Sequence, residues 1–448
     1  MKVLLAPVNI AGQPIQIVNE LKRMGVDATL LQYAGSDDGK KAHAFGYQTD
    51  KIVNIALDRR QAMFATVKKC LDEGYDLYHF WLRTFCYGRA YNDFLGLDLP
   101  FIKARNKRVV YRFTGYDLRL KSEDLRKNPY SAFRYGYDLG FDEEMQKKYL
   151  AFLEEYVDEF IVQDPEMHSF FPKAKVVPRM MDLSQWEYCG IGQTDKPLVV
   201  HAPSIKKSKG TAFVKKAISD LKDDGLEFDY QPITGMKHED AARWYQKADI
   251  VIDQLHAGWY GVLTMEAMAL GKPVIVYIRE ALLDGYEHDI PIRNANPDTI
   301  KESLKTLIRD YDLRKELGDK GRQYVEKVHD IKKVVPRLLT IYNTVLETEP
   351  VQPTSYADID YYEAQVELLY KGRLLSPQEV KSGLIRFRWQ GHKIRRLRNK
   401  LRYWLRRLIQ KIVLFIKCLP VIKTVYNTPT VERIRAGIKS AYSRLLKN

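Results

Sequence analysis

Short runs of β-branched and aliphatic residues alternate with amphipathic stretches along most of this chain, which predicts a parallel α/β architecture. Val3 to Pro7 reads as a buried strand, Ile15 to Met24 as an amphipathic helix ended by Gly25, and Asp27 to Leu31 as the next strand. Asn9 to Pro14 reads as the loop between the first strand and that helix. Leu77–Trp81, Arg108–Phe113 and Phe160–Gln163 continue the series. A second series opens with PLVVHAPSIKKSKG at Pro197–Gly210, a strand, a basic loop and a helix start near Thr211. Ile233 to Met236 is expected to end a strand and His238-Glu239-Asp240 to open a helix. Pro297 to Val328 has helical periodicity through Leu304, Leu307, Ile308, Leu313 and Leu317. A last helix near Val335 to Leu346 is expected to cross back onto the first domain.

The most informative stretch is ADIVIDQLHAGWYGVLTMEAMALGKPVIV, Ala248 to Val276. Ile250-Val251-Ile252 is too short for a helix and lacks alternation, as a central parallel strand does. Asp253 ends it. Two glycines, Gly258 and Gly261, then allow backbone to approach a ligand, and a helix from about Val262 to Leu270 aims its free N–H groups toward the same place. Glu266 lies one turn inside, where a carboxylate can accept hydrogens from the vicinal hydroxyls of a ribose. Gly-Lys-Pro and a second apolar strand follow. A lysine-rich loop such as Lys206-Lys207-Ser208-Lys209 is by itself usually a solvated surface, and a lone helical Glu usually faces water. Here both stand at the C-terminal ends of predicted strands, the edge where open α/β sheets bind ligands.

The unit resembles the nucleotide-sugar site of GT-B-fold glycosyltransferases, in particular the retaining family four, also called group one. Its signature is two glutamates spaced E-x7-E, followed by A-x-A-x-G-x-P-V. Glu266, Ala267, Ala269, Gly271, Pro273 and Val274 match, while the first glutamate position holds Gly258, with His256 or Gln254 as substitutes. The resemblance, which covers roughly Met1 to Glu347, implies that Glu266 binds the ribose. It implies that Lys209 binds the diphosphate, with Lys206 or Lys207 standing in for the family's arginine. Gly258, Tyr260, Gly261, Val262 and Leu263 would form the donor loop, Gly235 would lie near the base, and Gly12, with Asn9, Ala11 and Gln13, would lie near the donor phosphates. Thr114-Gly115-Tyr116-Asp117 stands where the family has His-Gly-Ser-Asp, so no imidazole is assigned there. Asp117 either touches substrate or caps the next helix. Lys209, Glu266 and Asp117 form the expected catalytic set. Such enzymes work without bound metal or cofactor, the nucleoside-diphosphate sugar being a substrate, and the departing phosphate itself helps to deprotonate the acceptor. Tyr130, Tyr135 and Tyr137 either meet the acceptor or pack a surface helix.

At 448 residues and 45% hydrophobic content the chain can build two cores and still leave an extra segment. The expected division is an acceptor-side Rossmann-like domain at 1–190, a donor domain at 196–347, a linker at 348–380 and a basic tail at 381–448. The tail holds nineteen Lys or Arg and one acid, Glu432. Its net +18 leaves −3 on everything else out of a formal +15. Apolar residues including Trp404 and Phe415 recur at helical steps opposite Arg395, Arg396, Arg402, Arg406 and Arg407, the pattern of an interfacial helix. Its uncharged runs are only about five residues, against the roughly twenty a span needs. Docking on the body or self-association is the competing reading of the stripe. Nucleic acid is not expected as a partner, for want of a reader motif.

The first strand follows Met1-Lys2 directly, with no secretory pattern, and Cys70, Cys86, Cys189 and Cys418 show neither pairing nor metal spacing. The chain is therefore expected at the inner, cytoplasmic face of an anionic membrane. There it would move a sugar, with retention, to a lipid-linked or cell-surface glycan. A non-catalytic nucleotide-sugar-binding protein and a GT-B epimerase are the alternatives.

Overall fold

The strands that the apolar runs predict assemble into two parallel sheets. The structure, a computed structural model, describes residues 1–34, 48–55, 59–87, 96, 98–140, 142–286 and 288–351. The chain divides into units 1–375 and 376–448. The linker beyond 351 and the whole tail, with Arg395, Arg396, Arg402, Trp404, Arg406, Arg407 and Phe415, lie outside the described residues.

The first sheet contains β1 (Lys2–Ala6), β2 (Asp27–Ala34), β3 (Lys51–Asn54), β4 (Leu77–Trp81), β5 (Arg108–Arg112), β6 (Glu159–Val162) and β7 (Lys175–Val176), in the order β3-β2-β1-β4-β5-β6-β7. Leu4 lies between Thr29 of β2 and Tyr78 of β4 in parallel register. Helices are α1 (Gln13–Arg23), α2 (Arg59–Asp72), α3 (Leu99–Ala104), α4 (Lys121–Lys127), α5 (Glu143–Tyr156) and the short α6 (Pro165–His168). The expected loop at 9–14 is a 3₁₀ turn, Ile10–Gly12, running into α1 with Pro14 in its first turn, where a missing N–H costs nothing.

The second sheet contains β8 (Leu198–His201), β9 (Asp229–Pro232), β10 (Ile250–Ile252), β11 (Val274–Val276) and β12 (Arg293–Asn294), in the order β12-β11-β10-β8-β9. Its helices are α7 (Thr211–Asp223), α8 (His238–Lys247), α9 (Val262–Ala269), α10 (Ile300–Arg309), α11 (Tyr311–Val328) and α12 (Ile331–Glu347). β9 ends at Pro232, so Ile233–Met236 is loop rather than strand end. The periodic stretch 297–328 forms two helices, the Asp310 carboxylate accepting from Leu313 N at 2.8 Å and starting α11 afresh.

β10 and β11 are buried throughout, and the apolar residues of α9 and α11 pack on one face of this sheet while those of α7 and α10 pack on the other. α12 leaves this domain, as its position predicts. Val334, Val335, Leu338 and Tyr342 join Val3, Leu5 and Leu77 in the first core. The Arg108 guanidinium holds the helix end, donating to the carbonyls of Val345 (2.9 Å) and Thr348 (2.7 Å). The chain thus passes between the domains twice, and the two passages touch. Met181 N donates to His329 O at 2.8 Å, and Ile331 N to Met181 O at 3.0 Å.

Candidate functional site

In the second sheet the strand order reverses between β8 and β10, and loops leaving neighbouring strands there part to form a crevice. Both sequence-predicted ligand loops start at this point. The loop after β8 folds back through Lys209 N to Ile205 O (3.1 Å) and Thr211 N to Lys206 O (3.1 Å). Gly210, at φ +74°, turns it into α7, and a Cβ there would stand 3.0 Å from Leu255 Cβ. Lys206 and Lys207 are exposed, Lys207 donating to Gly136 O at 3.3 Å.

Lys209 instead turns inward. Its ammonium donates to Asp253 Oδ1 (2.9 Å) and Gln254 Oε1 (2.6 Å). Asp253, which the sequence showed only as a strand end, is the centre of the site. Its Oδ2 accepts from Gly261 N (3.1 Å) and Thr264 Oγ1 (2.9 Å), which ties the basic loop, the glycine loop and the start of α9 to one buried carboxylate. Burial raises its pKa, but the Lys209 ammonium and these donors outweigh burial and hold it below the ordinary aspartate value. A Cβ at Gly261 would lie 3.0 Å from Asp253 Oδ2 and crowd the carboxylate. Val262 and Leu263 occupy the first turn of α9, whose N–H groups have no acceptor within the helix and offer hydrogen bonds to an anion.

Glu266 stands at the fifth position of α9 and is 7% exposed. Its Oε1 accepts from His238 Nε2 at 2.7 Å. That bond raises the His238 pKa against the lowering effect of burial. Sequence reading placed His238 only at a helix start. A His at the first position of a helix beginning near the same sheet edge was the signal for the pairing. Gly235, in the loop before it, is exposed at φ +70° with open space around its Cα.

The remaining predicted residues fall differently. The Tyr260 ring is buried in the second core, its hydroxyl bonded to Tyr324 Oη (3.1 Å) and His329 Nε2 (2.9 Å), so this residue offers the crevice backbone only. Gly12 caps α1 at φ +66° on the first sheet, and its neighbour Gln13 is held by Met180, donating to its carbonyl at 2.7 Å. Asp117 does not cap a following helix, because α4 starts at Lys121. Its carboxylate turns back to accept from Thr114 N (3.0 Å) and Gly115 N (2.6 Å). Burial pushes it up to about 6 despite those donors. Neither proposed substitute for the first glutamate is free. His256 Nδ1 donates to Tyr130 O (2.9 Å) and its ring stacks on Tyr135 at 4.4 Å, while Gln254 is held by Lys209 and the Trp259 carbonyl. Burial lowers the His256 pKa to about 4, so the imidazole is neutral.

The Tyr135 ring also meets Phe213 of α7, 5.1 Å away, so it packs on a helix of the second domain. Tyr130 and Tyr135 belong to a strap from the first domain, Asn128–Tyr137, laid against the donor loops and the start of α7. Asn128 Nδ2 donates to His256 O (2.7 Å), and Tyr130 Oη to Asp298 Oδ2 (2.6 Å). The guanidinium groups of Arg119 (5.0 Å) and Arg179 (4.2 Å), both from the first domain, lie over the Trp259 ring. Arg119 is neutralised by Glu166, donating to both carboxylate oxygens. None of these partners carried a sequence signature. Among the described residues no group of three or more His, Cys, Asp or Glu is placed to hold a metal ion.

Comparison with known proteins agrees with this geometry. Residues 229–324, which carry β9 to α11, match the family model described as glycosyl transferases group 1. An uncharacterized glycosyltransferase of Methanocaldococcus jannaschii is 30% identical over 93 residues, 20% of this chain and 26% of that protein. The capsular polysaccharide biosynthesis glycosyltransferase CapM of Staphylococcus aureus is 28% identical over 116 residues, 25% of this chain and 30% of CapM. The match thus spans about a quarter to a third of these relatives' lengths. Among solved structures, sucrose-phosphate synthase of Thermosynechococcus elongatus superimposes with a TM-score of 0.54 at 13% identity, over 77% of this chain and 99% of that one. HepE of Anabaena, in complex with UDP-glucose, does so with 0.52 at 13% identity, over 77% and 100%. The chain thus has the GT-B fold of these structures, and its residues 229–324 are similar to glycosyl transferases group 1.

Proposed function

We propose that the chain is a retaining glycosyltransferase taking its sugar from a nucleoside-diphosphate donor. One observation carries the reading: the basic loop, the N-terminus of α9 and the Glu266–His238 pair all open at the strand-order reversal of the second sheet, the last two within the segment that matches group 1. In this reading the α9 N–H groups and the Lys209 ammonium take the diphosphate, Lys209 leaving Asp253 in part as the anion arrives. Glu266 takes the ribose hydroxyls. The bond from the anomeric carbon to the phosphate oxygen breaks while the acceptor oxygen bonds the same face, and the acceptor proton passes to the departing diphosphate. Charge stabilisation and positioning then supply the rate, and no strong protein base is demanded. The acceptor is a lipid-linked or surface glycan, and the tail seats the enzyme on an anionic cytoplasmic membrane face. Among the described residues no helix is long and apolar enough to cross a membrane.

A second reading has one observation in its favour. Gly258 supplies no carboxylate to the sugar, as a nucleotide-sugar-binding protein without turnover would tolerate. A thermal-shift screen with UDP, GDP, ADP, dTDP, CMP and their sugar conjugates tests the binding both readings require, since a ligand of the folded state alone raises the melting temperature. A shift with one base, followed by transfer to an acceptor, supports the transferase. Binding without turnover favours the second reading, and no shift at all in folded protein removes both.

A further inference from the structure

The space that a side chain at position 258 would enter is already filled. Gly258 has φ +76°, and a Cβ built on it would lie 2.8 Å from Arg279 Cγ and 3.2 Å from its Cδ. Arg279 follows β11 by three residues, and its N–H donates to the Gly258 carbonyl at 3.2 Å, so the backbone itself sets the guanidinium across the glycine. The side chain is 9% exposed. Nη1 donates across to Lys127 O at 3.1 Å.

The other two donor nitrogens, Nε and Nη2, form one edge of the guanidinium, and neither has a hydrogen-bond partner. Acids stand near, but each is engaged. Glu166 Oε1 is 3.8 Å from Nη2, and both its oxygens already accept from Arg119. Asp164 faces Arg179 at 3.5 Å, and Asp124 accepts from Ser131 Oγ at 2.5 Å. A buried guanidinium edge that has one shared carboxylate at ion-pair distance and no hydrogen-bond acceptor is costly, and a bound group that supplied two oxygens in a plane would remove that cost. The polarity at this point is also reversed. A glutamate would accept from sugar hydroxyls, whereas a guanidinium only donates, and its two-nitrogen edge matches a carboxylate.

We propose that Arg279 replaces the absent carboxylate at position 258 as the sugar-recognising group, and that the donor sugar is acidic, its carboxylate taking the Nε–Nη2 edge. This rests on the nucleotide-sugar reading of the site. The test is calorimetric titration of the full chain with UDP and GDP and with matched pairs differing only at C6: UDP-glucuronate and UDP-glucose, UDP-galacturonate and UDP-galactose, GDP-mannuronate and GDP-mannose. The acidic member of a pair whose base is accepted should bind at least tenfold more tightly. That ratio should fall to about one in Arg279→Gln and survive in part in Arg279→Lys. If a nucleotide binds but wild type shows no acidic preference, or if Arg279→Gln keeps it, this inference fails and the nucleotide-sugar reading stands. If no nucleotide or conjugate binds folded protein, both fail. The wild-type comparison decides the matter even should the glutamine variant not fold.

Discussion

At the scale of single residues the site is a set of charges that hold one another until a ligand arrives. Lys209→Ala should weaken nucleoside-diphosphate binding by about 1–3 kcal/mol and also lower stability, because Asp253 keeps its two neutral donors but loses its cation. Glu266→Ala should weaken binding by a similar amount and leave His238 without its acceptor. Titration calorimetry and denaturant unfolding of the same samples separate the two effects, and unchanged affinity in both variants would place the site elsewhere. Glu266, Gly258 and Gly261 were legible in sequence because one short segment sets their spacing, and Lys209 because it stands in a basic loop after a predicted strand. Asp253, His238 and Arg279 were not. Their contacts join residues 28, 44 or 152 positions apart, and periodicity carries no information about such pairs. Tyr260 misled for the same reason, since the core that takes its ring includes Tyr324, 64 residues on.

At the scale of elements, α9 and α11 pack closely through small residues. Gly318 faces the Gly271 carbonyl and Gly321 faces Met268, so a Cβ at 318 would enter the van der Waals shell of a backbone oxygen that cannot swing aside. Gly318→Ala should destabilise the protein by roughly 1–3 kcal/mol, read as a lower denaturant midpoint, although alanine ordinarily favours a helix. A neutral or stabilising result would show that the two helices do not approach this closely. Strand and helix order were legible where buried parallel strands are continuous apolar runs and amphipathic helices repeat every three to four residues, whereas β3, β12, α2 and α3 were not read. Caps were less so. The break at Asp310 escaped because its flanks keep the same helical phase, and the strap Asn128–Tyr137 escaped because its aromatic residues serve a neighbour rather than a periodic face.

At the scale of the whole molecule, protonation and charge distribution make separate predictions. Burial lowers His201, His256 and His329 to about 4 and His79 well below its ordinary value. A group lowered on folding contributes stability above its unfolded pKa, near 6.5, and that contribution is lost as pH falls toward the folded value. Asp98 and Asp117, raised to about 6, and His238, raised by Glu266, act in the opposite sense and offset part of it. Stability should therefore fall from pH 7.5 to 6 by roughly 1–2 kcal/mol per pH unit, measured as the urea midpoint. A rise over that interval would contradict the neutral buried histidines. The charge of the tail belongs to a different experiment. Full-length protein should float with anionic liposomes and lose that binding in high salt, whereas a chain truncated after Leu375 should remain folded and sediment. Equal flotation of the two would remove the membrane role. The rung between Met181 and the segment His329–Ile331 has a mechanical meaning as well. Both passages of chain between the domains run through it, so they are expected to act as a single knuckle about which the crevice swings. Such a swing would break the bonds of Asn128, Tyr130 and Arg279 to the opposite domain, and would set the entry and departure of a ligand behind one shared barrier.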